Sequence, residues 1–343
     1  MITTLGTSIS IRDTKEVDID SILRLYGHSV TGEELKWALL YPLNGLASRS
    51  FAAVAPDGRV VGHAAGVVSR YRHKGSDITG IHPIFWIVDP AYRGKGIGTE
   101  LMRKALSLGD FSFIIGGAEG SHAMYRLFGL DFKFDIYPHT KILDPLRYFR
   151  VTDGGLPKKI AKALYLMAGR AKRSARNTHG QGVELEPYNE DAVIQGRASG
   201  TVFLNSQNAR HVKWLLSCPL LASNAFVIRH EKKAIGLAVC YVGDKSGIPT
   251  GRLVHMSHLG DDIGVWHAAL SGIEAFFKEK GCAVISTLAS HPVNIAALKE
   301  MGYVAAKKGR PFFLSDAGKR LSDVANGSWH LTFFEGDMAY RGV

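Results

Sequence analysis

Residues 84–106 read Ile-Phe-Trp-Ile-Val-Asp-Pro-Ala-Tyr-Arg-Gly-Lys-Gly-Ile-Gly-Thr-Glu-Leu-Met-Arg-Lys-Ala-Leu. An apolar strand runs into a Pro turn, then a glycine loop headed by Arg93, then an amphipathic helix. Glycines alternate at Gly94, Gly96 and Gly98, so side chains cannot block consecutive backbone N–H groups from facing one ligand. The helix that starts there adds unpaired N–H groups and the positive end of its dipole. Such a loop predicts an anion site, and a pyrophosphate suits it best. A Walker-type loop requires Gly-Lys followed by Ser or Thr, whereas Lys95 precedes Gly96. A dinucleotide fingerprint requires G-x-G-x-x-G directly after the strand. Here the pattern is G-x-G-x-G, with Asp89 to Arg93 intervening.

The fuller pattern, Val88-Asp89-Pro90-x-x-Arg93-Gly94-x-Gly96-x-Gly98-x-x-Leu101, resembles the acetyl-coenzyme A binding motif of the GNAT superfamily of N-acyltransferases. The resemblance implies acetyl-coenzyme A as cosubstrate, held by Ile87, Val88, Arg93, Gly94, Lys95, Gly96, Ile97, Gly98 and Thr99. It also implies an oxyanion donor among the backbone N–H groups of Ile87 and Val88.

At 343 residues the chain suits two domains rather than one. Hydrophobic content of 46% and charged content of 21% belong to a globular protein with apolar cores. The first residues, Met-Ile-Thr-Thr-Leu-Gly-Thr-Ser, show neither a basic leader nor an apolar run. Three unevenly spaced cysteines, Cys218, Cys240 and Cys282, fit reduced buried thiols, and a cytoplasmic location is expected. The fourteen histidines form no H-x-x-x-H or Cys/His spacing, so no metal is expected. The net charge of +11 invites a nucleic-acid reading. Much of the excess, however, lies between Leu156 and Arg176 as Lys158, Lys159, Lys162, Arg170, Lys172, Arg173 and Arg176, without an acid. Ile160, Leu164, Met167 and Ala171 recur there at helical spacing. This predicts a basic linker helix, with peripheral membrane contact as an alternative. Nucleic acid is disfavoured because no aromatics are interleaved for stacking.

Short strands at 8–12, 51–54, 60–68, 84–88 and 111–115, a strand pair over 133–143, and helices at 15–28, 31–40, 98–108 and 121–127 fit the GNAT order of elements. The second half repeats the first. Lys36-Trp37-x-Leu39-x-x-Pro42 recurs as Lys213-Trp214-x-Leu216-x-x-Pro219, Val61-Gly62 as Ile235-Gly236, and Gly129-Leu130 as Gly302-Tyr303. The expected fold is therefore α/β (mixed α+β): tandem GNAT-like domains, each a mixed, mostly antiparallel sheet flanked by helices. The expected boundaries are 1–150 for the cofactor-binding domain, 151–182 for the basic linker helix and 183–343 for a degenerate second domain. In that second copy the loop Leu259-Gly260-Asp261-Asp262-Ile263-Gly264-Val265-Trp266 lacks arginine and carries two carboxylates. Those acids cap a helix well and repel an anion. Only the first domain is expected to bind the cofactor.

Direct attack of an amine on a thioester needs no covalent intermediate, but it needs a base, an oxyanion donor and an acid for the leaving thiolate. Ala123-x-Tyr125-x-x-x-Gly129-Leu130 resembles the family helix whose tyrosine protonates coenzyme A, which implies Tyr125 as the acid; the matching second-half position is Leu298. For the base His82, Glu119 and His122 stand open, together with a water chain. Trp37, Tyr41 and the region of Asn44 fall where the fold shapes the acceptor site. The ending Trp329-His330-Leu331-Thr332-Phe333-Phe334-Glu335-Gly336-Asp337 and the Lys-Trp-x-Leu-x-x-Pro segment resemble tandem-domain acyltransferases of bacterial surface-polysaccharide synthesis. That resemblance implies a nucleotide-linked amino sugar as acceptor. Aminoglycosides, thiol-sugar precursors and peptide N-termini are the enzymatic alternatives, and a non-catalytic coenzyme A sensor is the other.

Overall fold

The computed structural model describes residues 2–4, 7–27, 30–40, 42–43, 46–47, 49–117, 119–151, 155–157, 159–161, 164, 182–189, 191–192, 194, 202–204, 209–219, 223–316, 318 and 320–335. Its first half runs β1 (Ile2–Thr4), β2 (Thr7–Asp13), α1 (Ile19–Tyr26), α2 (Gly32–Leu40), the two-residue strands β3 (Pro42–Leu43) and β4 (Leu46–Ala47), β5 (Arg49–Val54), β6 (Val60–His73), β7 (Ser76–Val88), α3 (Ile97–Leu106), β8 (Phe111–Ile115), α4 (His122–Leu127), β9 (Asp131–Ile142) and α5 (Pro145–Val151). The second half runs β10 (Val183–Pro187), β11 (Val202–Leu204), α6 (Ala209–Leu216), β12 (Ser223–His230), β13 (Lys233–Lys245), β14 (Ile248–Met256), α7 (Ile263–Glu279), β15 (Val284–Ala289), α8 (Pro292–Glu300), β16 (Val304–Ala305), β17 (Arg310–Ser315) and β18 (Trp329–His330).

The β6–β7 hairpin is much longer than the sequence predicts. Lys74 (φ 48°) and Gly75 (φ 79°) form its two-residue turn, and both need the left-handed region. Polar Arg70, Arg72, His73, Ser76 and Asp77 hide these strand ends from hydrophobic patterning. α3 carries Ile97, Leu101 and Ala105 on one face and buries them against Phe51, Ala53 and Val61. The opposite face of the sheet is covered by α1 and α2 through Ile19, Ile22, Leu35 and Trp37. In the second half α7 buries Trp266, Leu270, Ile273 and Phe277 against the sheet.

All the long strands join one sheet in the order β1-β2-β5-β6-β7-β8-β17-β9-β15-β14-β13-β12-β10. The two halves meet by trading strands. β17, late in the sequence, lies between β8 and β9. β9 in turn changes partner midway: Asp131–Ile136 pair with β17, and Tyr137–Ile142 pair with β15. The strand pair expected over 133–143 is thus a single strand, because its partners come from 284–315 rather than from a local turn.

The repeated Lys-Trp segment marks the local symmetry. Trp37 stacks on Trp214 at a ring-centroid distance of 4.2 Å and an interplanar angle of 7°. Each indole N–H donates to the other's carbonyl, Trp37 Nε1 to Trp214 O at 2.9 Å and Trp214 Nε1 to Trp37 O at 3.2 Å. Residues 177 apart in sequence therefore make a reciprocal contact.

Of the basic segment, residues 155–157, 159–161 and 164 are described, and Leu156, Ile160 and Leu164 are exposed. Met167, Ala171 and the cations from Arg170 onward lie outside the described residues, as do Lys158 and Lys162. No helix among the described residues is long and apolar enough to cross a membrane. The three cysteines are buried and unbridged.

Candidate active site

β7 and β8 form a fork. They pair in parallel only at Gly80↔Phe111 and Ile81↔Ser112. β7 continues to Val88 and β8 to Ile115, whose far edge is held by β17. The β6–β7 register shifts between His63/Ile87 and Ala65/Ile84, so Phe85 and Trp86 together face the single residue Ala64. This is a β-bulge, and it bends the strand away from β8. Phe85, buried, adopts φ 54°, a conformation that costs about 1–3 kcal/mol for a non-glycine residue and persists only when its surroundings enforce it. They do so here. The Phe85 carbonyl accepts from the Tyr26 hydroxyl and from His63 Nδ1 at 3.1 Å. His63 Nε2 lies 2.7 Å from Ser50 Oγ, itself 2.7 Å from Thr14 Oγ1. Burial pushes the His63 pKa down to about 4, so the ring is neutral, with Nδ1–H donating to Phe85 and Nε2 accepting from Ser50.

Beyond the bulge the chain enters the glycine loop. Asp89 accepts from Ala91 N at 2.9 Å and starts the short turn Pro90–Tyr92. Arg93 Nε donates to Val88 O at 3.1 Å, Lys95 lies 4.8 Å over the Tyr92 ring, and Arg59 donates to the Tyr92 hydroxyl at 3.2 Å. Gly94 (φ 76°) and Gly96 (φ 77°) both lie in the left-handed region, and Gly96 caps α3. Among the described residues none of the N–H groups from Gly94 through Thr99 donates within the chain. A Cβ on Gly94 or Gly96 would meet nothing within 4 Å, so the loop faces open space. Cations, free N–H groups and a helix start converge on one spot. This donor set fits the pyrophosphate of an acyl-coenzyme A. The Trp86 indole donates to Gly98 O at 3.1 Å and ties the loop to the bulge.

Tyr125 is buried on α4, and a Cβ on Gly117 would come within 2.3 Å of its hydroxyl. Its phenol thus rests against the backbone just past the end of β8, at the mouth of the fork. His82 lies within β7 rather than before the strand, and its Nδ1 is 3.3 Å from Phe113 O, one step beyond the last paired residues. Ile87 and Val88 follow the bulge and face His63 and Gly62 across the ladder. His122 packs at a tilt against Phe313 and Tyr125, with ring centroids 5.0 Å and 5.9 Å away.

Two expectations change. Glu119 is exposed and bonded to Lys308 at 2.8 Å. That ammonium lowers its pKa, the wrong direction for a group that must take a proton near neutral pH. Trp37, expected to contact an acceptor, is 2% exposed and spends its N–H on Trp214. Tyr41 and Asn44 lie outside the described residues.

The second-half counterpart is closed. Asp262 accepts from Gly264 N at 2.9 Å, and the Trp266 indole donates to Gly260 O at 2.8 Å. The fork between β14 and β15 is filled by the C-terminal segment. His330 Nε2 donates to Met256 O at 2.7 Å, Leu331 N donates to Ser290 Oγ at 2.7 Å, and Ser290 Oγ donates to Trp329 O at 2.6 Å. Leu298, fully buried, accepts from Tyr303 N as Tyr125 accepts from Leu130 N. His258, Asp261 and His291 bring potential ligand atoms within 4.8 Å of one another, a cluster that sequence spacing does not reveal. The pattern missed from sequence was the His63–Phe85 support, since neither residue carries a motif.

Residues 18–129 match the family model described as the acetyltransferase (GNAT) family. That stretch runs from α1 through α4 and includes the glycine loop, and over it the chain is similar to GNAT acyltransferases. No curated protein sequence matches it. Among solved structures it is similar to a GCN5-related N-acetyltransferase from Kribbella flavida (17% identity, 90% of this chain and 71% of that one, TM-score 0.55). It is also similar to Saccharomyces cerevisiae N-myristoyltransferase with bound myristoyl-coenzyme A (12%, 92% and 84%, TM-score 0.56). A third is a GCN5-related glucosamine N-acetyltransferase region of a fungal multi-domain β-N-acetylglucosaminidase (12%, 90% and 38%, TM-score 0.51). At these identities the likeness is one of fold.

Proposed function

We propose that this chain is a GNAT-type transferase that acylates the primary amine of a nucleotide-linked amino sugar, using one acyl-coenzyme A site in its first half. The observation that carries the reading is the run of undonated N–H groups from Gly94 to Thr99 beside the β7–β8 fork. The amine nitrogen attacks the thioester carbonyl, the C–S bond breaks, and Tyr125 gives its proton to the departing sulfur. A phenol of pKa about 10 can protonate a thiolate whose conjugate acid is near 8.5 without strong tuning. Support for Tyr125 comes from the contact of its hydroxyl with Gly117 at the fork mouth. His82 is the base we favour: with Nδ1–H directed at Phe113 O, its basic lone pair is on Nε2.

In this reading residues 1–150 bind the cosubstrate, and 183–343 form the degenerate copy that packs on them and completes the acceptor side, with 151–182 as the basic connection. The capped loop at Asp262 and the filled second fork support a single acyl-coenzyme A site. A net charge of +11 favours a phosphorylated acceptor, and the fungal glucosamine N-acetyltransferase region favours an amino sugar. The test is thiol release from acetyl-coenzyme A across a panel of nucleotide-linked amino sugars, free amino sugars, aminoglycosides and a peptide N-terminus. Selective release with the nucleotide-linked sugars is expected. Binding of acetyl-coenzyme A without release on any amine defeats the enzymatic reading, and preference for the peptide or an aminoglycoside moves the acceptor class.

A further inference from the structure

Phe85 stands in a backbone conformation that a buried aromatic does not choose on its own. What holds it is a hydrogen-bonded column through the first half. Thr14, just past the end of β2, reaches Ser50 of β5, Ser50 reaches His63 of β6, and His63 reaches the Phe85 carbonyl of β7. Tyr26 of α1 closes on the same oxygen from the helix side, and its hydroxyl is 3.1 Å from His63 Nδ1. None of these residues lies in the glycine loop or the α4 motif, and acid–base chemistry does not require them.

The peptide plane supplies the consequence. No cis peptide occurs among the described residues, and in a trans peptide the C=O of one residue and the N–H of the next point in opposite directions. The Phe85 carbonyl is drawn toward β6 and α1, so the Trp86 N–H is turned the other way, toward the side from which β8 has departed. We propose that His63, with Tyr26, is a positioning residue: by clamping the Phe85 carbonyl it aims the Trp86 N–H into the fork, to donate to the thioester carbonyl of the bound acyl-coenzyme A. The resemblance-based expectation put that donor at Ile87 or Val88. The clamp moves it to the bulge, where the carbonyl direction is fixed from outside the strand. Neutrality of the His63 ring serves the clamp, since a single tautomer donates to Phe85 and accepts from Ser50 without a competing charge. The proposal rests on the fork being the acyl-coenzyme A site.

The probe is acetyl-coenzyme A labelled with ¹³C at the thioester carbonyl, bound to the full chain. An oriented N–H polarises that carbonyl and shifts its resonance downfield, a readout that does not depend on knowing the acceptor. Wild type is expected to show the shift. In His63→Ala the affinity for acetyl-coenzyme A stays within about threefold and the shift collapses. In parallel kcat falls by on the order of tenfold to a hundredfold at unchanged KM for acetyl-coenzyme A, as for a misaligned oxyanion donor. His63→Asn, whose amide N–H stands where Nδ1–H stood, restores both. Tyr26→Phe removes the second donor from a partly exposed helix position and gives an intermediate loss, so the test survives if His63→Ala does not fold. An unchanged carbonyl shift in His63→Ala or, should that variant not fold, in Tyr26→Phe overturns the clamp. A wild-type chain that binds no acetyl-coenzyme A overturns the site itself, a distinct result.

Discussion

Replacing Trp37 by Phe separates a structural lock from an acceptor contact. The side chain is 2% exposed, its partner Trp214 is 6% exposed, and the two rings lie parallel at 4.2 Å. Phenylalanine keeps an aromatic face but removes the N–H that reaches Trp214 O at 2.9 Å and part of the stacked area. A lost net hydrogen bond is worth about 1 kcal/mol, and an aromatic pair about 0.5–1.5 kcal/mol beyond the area it buries. With the missing ring atoms included, each single variant is expected to lose about 2–3 kcal/mol. The two hydrogen bonds end on backbone carbonyls and are lost separately in Trp37→Phe and Trp214→Phe, whereas the stacked face is shared by both rings. The double variant should therefore cost about 0.5–1.5 kcal/mol less than the two singles added, above the additivity expected of distant sites. Urea unfolding of the four proteins, followed by tryptophan-independent circular dichroism, measures this. A coupling within about 0.3 kcal/mol of zero, together with a raised acceptor KM in Trp37→Phe, would refute the lock and return Trp37 to the acceptor site.

Gly96→Val forces a β-branched residue into φ 77° at the start of α3; affinity for acyl-coenzyme A should fall at least about tenfold while the rest of the fold persists, and unchanged affinity by calorimetry would remove the loop from the site. Tyr125→Phe should lower kcat by about 10²-fold or more with little change in cosubstrate affinity; wild-type turnover would exclude Tyr125 as the acid. Glu119→Gln should leave turnover unchanged, because its carboxylate is committed to Lys308 on the surface; a large loss in a pH–rate profile would restore it as a base. Burial holds His63, His139, His255 and His258 at pKa values of about 4 in the folded chain. An unfolded imidazole titrates near 6.5, so the unfolded chain binds more protons below that pH. The stability these groups contribute is present above about pH 6.5 and is lost as pH falls toward 4; a flat urea-midpoint profile across that window would contradict their neutral burial.

The glycine loop was legible because its signal is local. Arg93, the alternating glycines and the amphipathic helix lie within fifteen residues of one another, and the observed loop and α3 follow them closely. The Asp262 cap of the second copy was legible for the same reason. What sequence reasoning missed depends on partners far along the chain. The φ of Phe85 is imposed by His63 and Tyr26, and a phenylalanine carries no sign of it. β9 reads as two strands until β15 and β17 are known to divide it. The repeated Lys-Trp segment was visible, but a repeat does not say that its two copies touch. The place of Trp37 on an early helix points to a ligand, whereas its ring stacks on its own duplicate, Trp214.

The position of β17 between β8 and β9 has a consequence for the chain as it leaves the ribosome. When residue 151 has emerged, every strand and helix of the first half exists, yet β8 still presents a bare edge with unpaired N–H and C=O groups. That edge closes only when residues 310–315 arrive, after most of the second half has been made. A prematurely terminated product would therefore expose two open strand edges and associate with other chains. The β7–β8 fork is thus braced on its far side by one of the last strands synthesised, and a chain that stops before residue 310 lacks that brace.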